Sequence, residues 1–119
     1  MTVNEIATKL VKYCESEDYL TAQKELYSDD VISIEPEDSH GYDKETKGLK
    51  AVNEKIQKFV DSIETSYGSK ASVPVIAGNS FSFKLDMDIK MKGQERNTMS
   101  ELCVFTIKDE KIIKEEFFW

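Results

Sequence analysis

The hydrophobic period of this 119-residue chain changes once, and that change most constrains what the chain can fold into. In the first half apolar side chains recur at helical spacing; from about residue 80 onward they alternate. Val3, Ile6, Ala7, Leu10, Val11 and Cys14 predict an amphipathic helix from residue 3 to about 16. A short second helix follows at Tyr19–Leu26, and Ser28-Asp29-Asp30 stops it before a β-branched strand, Val31–Ile34. Leu49, Val52, Ile56, Phe59, Val60 and Ile63 predict a long helix from Gly48 to Thr65. Phe81, Phe83, Leu85, Met87, Ile89 and Met91 then alternate with polar residues, as in a strand with one buried face. Gly93-Gln94 turns the chain into a strand with Met99, Glu101, Cys103, Phe105 and Ile107 on one side. A hairpin at 108–111 leads into a last strand, Ile112–Trp119. Val73–Ala77, interrupted by Pro74, reads as a strand at an edge or a bend.

Helices first and hairpin-linked strands afterwards give an α+β fold, with helices covering one face of a curved antiparallel sheet. The length fits a single domain over residues 1–119. A net charge of −7 repels phosphate backbones and anionic lipid, so neither nucleic acid nor a membrane surface is an expected partner. The N-terminus has no basic region followed by an apolar run, so a soluble, cytoplasmic protein is expected. Cys14 and Cys103 are far apart, and His40 has no second histidine; two packed free thiols and no metal or cofactor are expected.

Three segments carry a family resemblance: L-Y-S-D-D-V-I-S-I-E-P at 26–36, K-G-L-K-A-V-N-E-K-I at 47–56, and C-V-F-T-I-K-D-E-K-I-I-K-E-E-F-F-W at 103–119. With the element order, they resemble the SnoaL-like branch of the nuclear-transport-factor-2-like superfamily, which includes ketosteroid isomerases and polyketide cyclases. The last segment is similar to the family's F-x-h-x-D-G-K-I hairpin (h apolar), with Glu110 in place of the glycine. The resemblance implies a cone: a curved sheet wrapped around a long helix, the cystatin-like α+β barrel, with a deep apolar cavity at one end. It implies that Glu35, before Pro36, stands where ketosteroid isomerases keep their general base. It implies Tyr13 for their helix-one tyrosine, although the spacing differs. Their oxyanion-hole aspartate falls near Cys103, a poor donor, with Glu101 two residues earlier on the same face. Steroid isomerisation by that mechanism is therefore not implied.

A carboxylate in an apolar cavity has its charged form disfavoured, which suits it to general acid–base work. Several carboxylates together cannot all ionise, so one keeps a proton while another takes one. Glu35, Glu101 and Glu115, with His40 leaning from the loop, are the candidate catalytic groups for enolisation, aldol cyclisation or double-bond migration. Glu35 as base and Glu101 or Glu115 as polarising acid is the leading assignment. Tyr13, Phe59, Met87, Met99, Cys103, Phe105, Phe117 and Trp119 are candidates to bind a small hydrophobic carbonyl compound.

Plainer readings stand beside these. Glu35 could sit at the rim and pair with Lys44 or Lys47, Glu101 could have Tyr13 or His40 as a partner, His40 could be solvated, and the apolar set could simply fill the cone. The family register turns Ile113, Glu115, Phe117 and Trp119 inward, and a bulge would shift them. The loop at 37–47 is a lid candidate. A non-catalytic module of the same fold, pairing as a homodimer through the outer sheet face, is the alternative function.

Overall fold

The computed structural model of the chain describes residues 1–37 and 42–119; His40 and the rest of 38–41 in the candidate lid lie outside the described residues. Thr2 opens helix α1 (Val3–Glu15) with a capping box, its hydroxyl accepting from the Glu5 N–H at 3.1 Å and its own N–H donating to the Glu5 carboxylate at 3.0 Å. The stripe Ile6, Ala7, Leu10 and Cys14 is buried, and α2 (Tyr19–Leu26) adds Ala22 and Leu26 to the same core. Strand β1 (Tyr27–Ile34) begins four residues before the β-branched run. Its polar start, Ser28-Asp29-Asp30, hides this in the sequence, because Asp29 and Asp30 point to solvent. The three-residue strand β2 (Glu45–Lys47) pairs with β1 inside the expected loop.

Helix α3 (Leu49–Asp61) stops four residues short of the expected Thr65. Ser62 ends it: its N–H bonds to the Lys58 and Phe59 carbonyls, and its hydroxyl donates to the Lys58 carbonyl at 2.8 Å. Ile63 fits the helical stripe but starts strand β3 (Ile63–Ala71). Most of β3 is exposed, so no apolar alternation marks it in the sequence. β4 (Val75–Ala77) begins just after Pro74 and pairs with β5.

β5 (Ser80–Met91), β6 (Arg96–Lys108) and β7 (Lys111–Phe118) are the alternating strands, and the sheet order is β2-β1-β7-β6-β5-β3. The sheet is curved, unclosed and mixed, because β1 lies parallel to β7 while the other pairings among the described residues are antiparallel. Phe81, Phe83 and Phe105 stack on its inner face, with Phe105 5.0 Å and 5.5 Å from the other two ring centroids. The β6–β7 hairpin turns on Asp109 and Glu110, both with positive φ (51° and 62°), so Glu110 adopts the backbone that the missing glycine would favour. Ile113 is an extra residue in the pairing, since Thr106 faces Lys114 while Ile107 faces Ile112. That bulge puts both Ile112 and Glu115 on the buried side. The inward set is thus Ile112, Glu115 and Phe117 in place of Ile113, Glu115, Phe117 and Trp119; Ile113 is half-buried and Trp119 is 56% exposed.

Candidate functional site

Pairing register places the acids in successive rows across the inner face. Ser33 of β1 sits beside Glu115, Glu115 beside Phe105, and Phe105 beside Phe81. In the next row Phe117, Cys103 and Phe83 are neighbours; one row further Glu101 faces Leu85, and beyond it Met99 faces Met87. Exposure grows along β6 in that direction: Cys103 is buried, Glu101 is half-buried and Met99 is exposed. Glu35 leaves the end of β1 on the same side as Val31 and Ser33, because side chains alternate along a strand.

Lys55 of α3 joins these acids. Its Nζ lies 2.8 Å from Glu35 Oε1 and 2.5 Å from Ser33 Oγ, and 5.6 Å from the Phe117 ring centroid. Ser33 donates in turn to Glu115 Oε2 at 2.6 Å, and the Tyr27 hydroxyl donates to Glu115 Oε1. The result is one continuous chain: Tyr27, Glu115, Ser33, Lys55, Glu35. Lys55 and Glu35 keep only 12% of their side-chain surface exposed, so this ion pair is far less screened than a surface one. Lys55 thus takes the place given to Lys44 or Lys47; Lys44 instead bonds the Glu35 backbone N–H through its carbonyl, at 2.8 Å.

The Glu101 carboxyl is pushed up to about 7, first by burial and then by the charges of Glu35 and Glu115; a contact from Cys103 Sγ at 3.6 Å and the Lys55 charge oppose this. Burial likewise pushes Glu115 up, against Lys55 and the two hydroxyls. Burial and the nearby Glu101 raise the Cys103 thiol, making it a poor nucleophile. Because Glu101 binds its proton more tightly when folded than the ordinary 4.5, its contribution to stability is complete below about 4.5 and is lost as pH rises through 7. The loss amounts to ~3 kcal/mol. Denaturant unfolding between pH 5 and 8 should therefore show stability falling with pH, and Glu101→Gln should flatten most of that fall. A variant as pH-dependent as the parent protein would place the titration elsewhere.

The remaining candidates are placed unevenly. Phe59 and Phe117 are half-buried beside the core. Met87, Cys103 and Phe105 belong to the core cluster, with the Tyr19 hydroxyl 3.6 Å from the Met87 sulfur. Met99 and Trp119 are exposed, and Tyr13 is not brought to the acids. Its hydroxyl donates to Glu25, which also pairs with Lys9, so it ties α1 to α2. A cleft of about 260 Å³ between α3 and the 42–46 segment is lined by Tyr42, Thr46, Ala51, Lys55 and Lys58, among others. Lys55 thus belongs both to the cleft and to the acid cluster. Among the described residues no histidine, cysteine and acid side chains are grouped as a metal site requires, and no helix is long and apolar enough to cross a membrane.

Sequence reasoning missed Lys55, Ser33 and Tyr27. Lys55 lies three residues after Val52 and four before Phe59, inside the apolar stripe of α3, and that position was the available signal. Ser33 alternates with Val31 on the buried face of β1.

A curved, unclosed mixed sheet packed with three helices, its inner face carrying acids, defines an α+β protein. The SnoaL-like domain model matches residues 1–119, and the chain belongs to that family. A Mesorhizobium loti protein, provisionally named a SnoaL-like polyketide cyclase (carbohydrate phosphatase), superposes with a TM-score of 0.90 at 28% identity, covering 100% of both chains. A Xanthomonas campestris protein with a cystatin-like fold gives 0.83 at 18% identity, covering 99% of this chain and 90% of its own. A Catenulispora acidiphila protein with a ketosteroid isomerase-like fold, in complex with trimethylamine, gives 0.75 at 13%, covering 97% and 85%. The last two likenesses concern fold alone. Curated proteins yield no match.

Proposed function

We propose that this protein binds a small apolar carbonyl compound and moves one of its α-protons without a cofactor, as an isomerase or cyclase does. The observation that carries this reading is the contrast between two neighbouring carboxyl groups. Glu35 is held as the partner of the Lys55 ammonium, whereas burial pushes Glu101 up to about 7. Such a contrast divides the roles of base and acid. In this scheme the Glu35 carboxylate takes the α-proton, the C–H electron pair becomes the C=C of an enol, and Glu101 gives its proton to the carbonyl oxygen. Returning a proton to a different carbon shifts a double bond; attack of the enol carbon on a second carbonyl closes a ring. Family membership and the provisional name of the Mesorhizobium loti neighbour support this class of chemistry.

Proton NMR in D2O is the direct test, following loss of α-proton signal from a panel of flat aromatic ketones with and without the protein. Faster exchange with the protein is expected; exchange at the buffer rate across the panel would sink the catalytic reading.

A second reading, assembly through the outer sheet face, is favoured by Leu102 and Phe118. They are cross-strand partners, 45% and 47% exposed, on the same outward face as Val104. A groove of about 170 Å³ lined by Val75, Ala77 and Val104 extends this apolar surface. Sedimentation of the purified chain is expected to give a dimer that Leu102→Glu dissociates. A monomer at micromolar concentration would refute assembly.

A further inference from the structure

Lys55 carries three N–H donors, of which, among the described residues, Ser33 and Glu35 take two. Its ammonium stands over the Phe117 ring and the residue lines the cleft, so apolar surface, the acid cluster and an opening meet at this one side chain. The groups behind it are fixed. Ser33 is fully buried and can accept from Lys55 because its own hydroxyl hydrogen goes to Glu115, and Glu115 accepts a second bond from Tyr27. Four side chains therefore hold the ammonium in one place and, among the described residues, leave one donor to spend, the preorganised arrangement that a developing oxyanion needs.

We propose that the third N–H of Lys55 donates to the oxygen of the ligand, which makes Lys55 a catalytic residue and Glu115, acting through Ser33, a positioning residue. This rests on the reading that the site takes a carbonyl compound, and it narrows the class. The ligand must present an oxygen acceptor at the cleft between Tyr42, Ala51 and Lys55, with its apolar body toward Phe117. A carbonyl oxygen has two lone pairs, so it accepts from Lys55 while Glu101 delivers the proton. A hydrocarbon of the same shape gains only the apolar contact.

The test is a pair of probes, acetophenone and ethylbenzene, titrated into the full-length protein by ligand-observed NMR. The readout is the ratio of ketone to hydrocarbon affinity. Lys55→Met should lower that ratio roughly tenfold or more, the factor that one hydrogen bond to a charged donor supplies, while the hydrocarbon affinity stays within about twofold. Lys55→Met leaves Glu35 and Glu115 without their cation and could fail to fold. The double variant Lys55→Met/Glu35→Gln removes the opposing charge as well and should show the same fall. Lys55→Arg, which keeps a charged donor, should retain most of the ratio. An unchanged ratio in either folded Met variant overturns the assignment, since a purely structural lysine would not distinguish the two probes. Failure of the catalytic reading is separable: a ratio that falls without any α-proton exchange supports Lys55 as the anchor of a binding site. Neither probe binding overturns both readings.

Discussion

Glu101→Gln is expected to slow α-proton exchange by about 10²- to 10⁴-fold, the usual contribution of one positioned acid. The change keeps shape and hydrogen-bonding ability but removes the titrating proton. The pH profile separates loss of chemistry from loss of structure. As pH rises through about 7 the Glu101 carboxyl gives up its proton, so the parent rate should fall on that limb. The variant's residual rate should lack that fall. A variant with the same limb would assign the acid to Glu115, whose carboxyl is also pushed up by burial.

Lys55→Met is expected to destabilise the protein by about 3–5 kcal/mol in denaturant unfolding at neutral pH, the cost of breaking a buried ion pair from one side. The reason is electrostatic crowding: Glu35, Glu101 and Glu115 interact with one another, and Lys55 is the cation whose charge opposes that repulsion for both Glu101 and Glu115. Replacing Glu35 at the same time, as Lys55→Met/Glu35→Met, should recover most of the loss, because burying neither charge is often as good as burying both. A loss below about 1 kcal/mol for the single variant would mean that the pair behaves as a solvated surface bridge.

The acids of this arrangement were legible in the sequence, and the groups that bind them were not. Glu101 shares strand parity with Cys103 and Phe105, and an acid on an apolar face needs a partner or a task; that argument uses only local alternation. Glu35 and Glu115 came from a family resemblance, and Lys55 links them, bonding Glu35 directly and Glu115 through Ser33. Lys55 was passed over, although it lies in the apolar stripe, because a lysine on an amphipathic helix ordinarily reads as solvent-facing, and nothing local shows that its long stem carries the ammonium to a partner 20 residues away. Tyr13 misled for a related reason. It lies next to the buried positions Leu10 and Cys14, yet it turns toward α2 and meets Glu25. β3 escaped because an exposed edge strand has no buried face for alternation to record.

The parallel pairing of β1 with β7 bears on whether this chemistry is portable. The Ser33–Glu115 bond joins residues 82 apart, and the bond from Tyr27 to Glu115 spans 88. Glu101 and Glu115 sit on adjacent strands of one hairpin, so a hairpin peptide would carry both acids. It would carry neither the burial that raises them nor the cation and hydroxyls that oppose that rise, and in water its carboxyls would behave as ordinary ones. Closing so long a loop is worthwhile only when the intervening helices and strands are already packed. The acid cluster is therefore a property of the whole architecture, and grafting its residues onto another scaffold means reproducing the crossing of helix, first strand and last strand together.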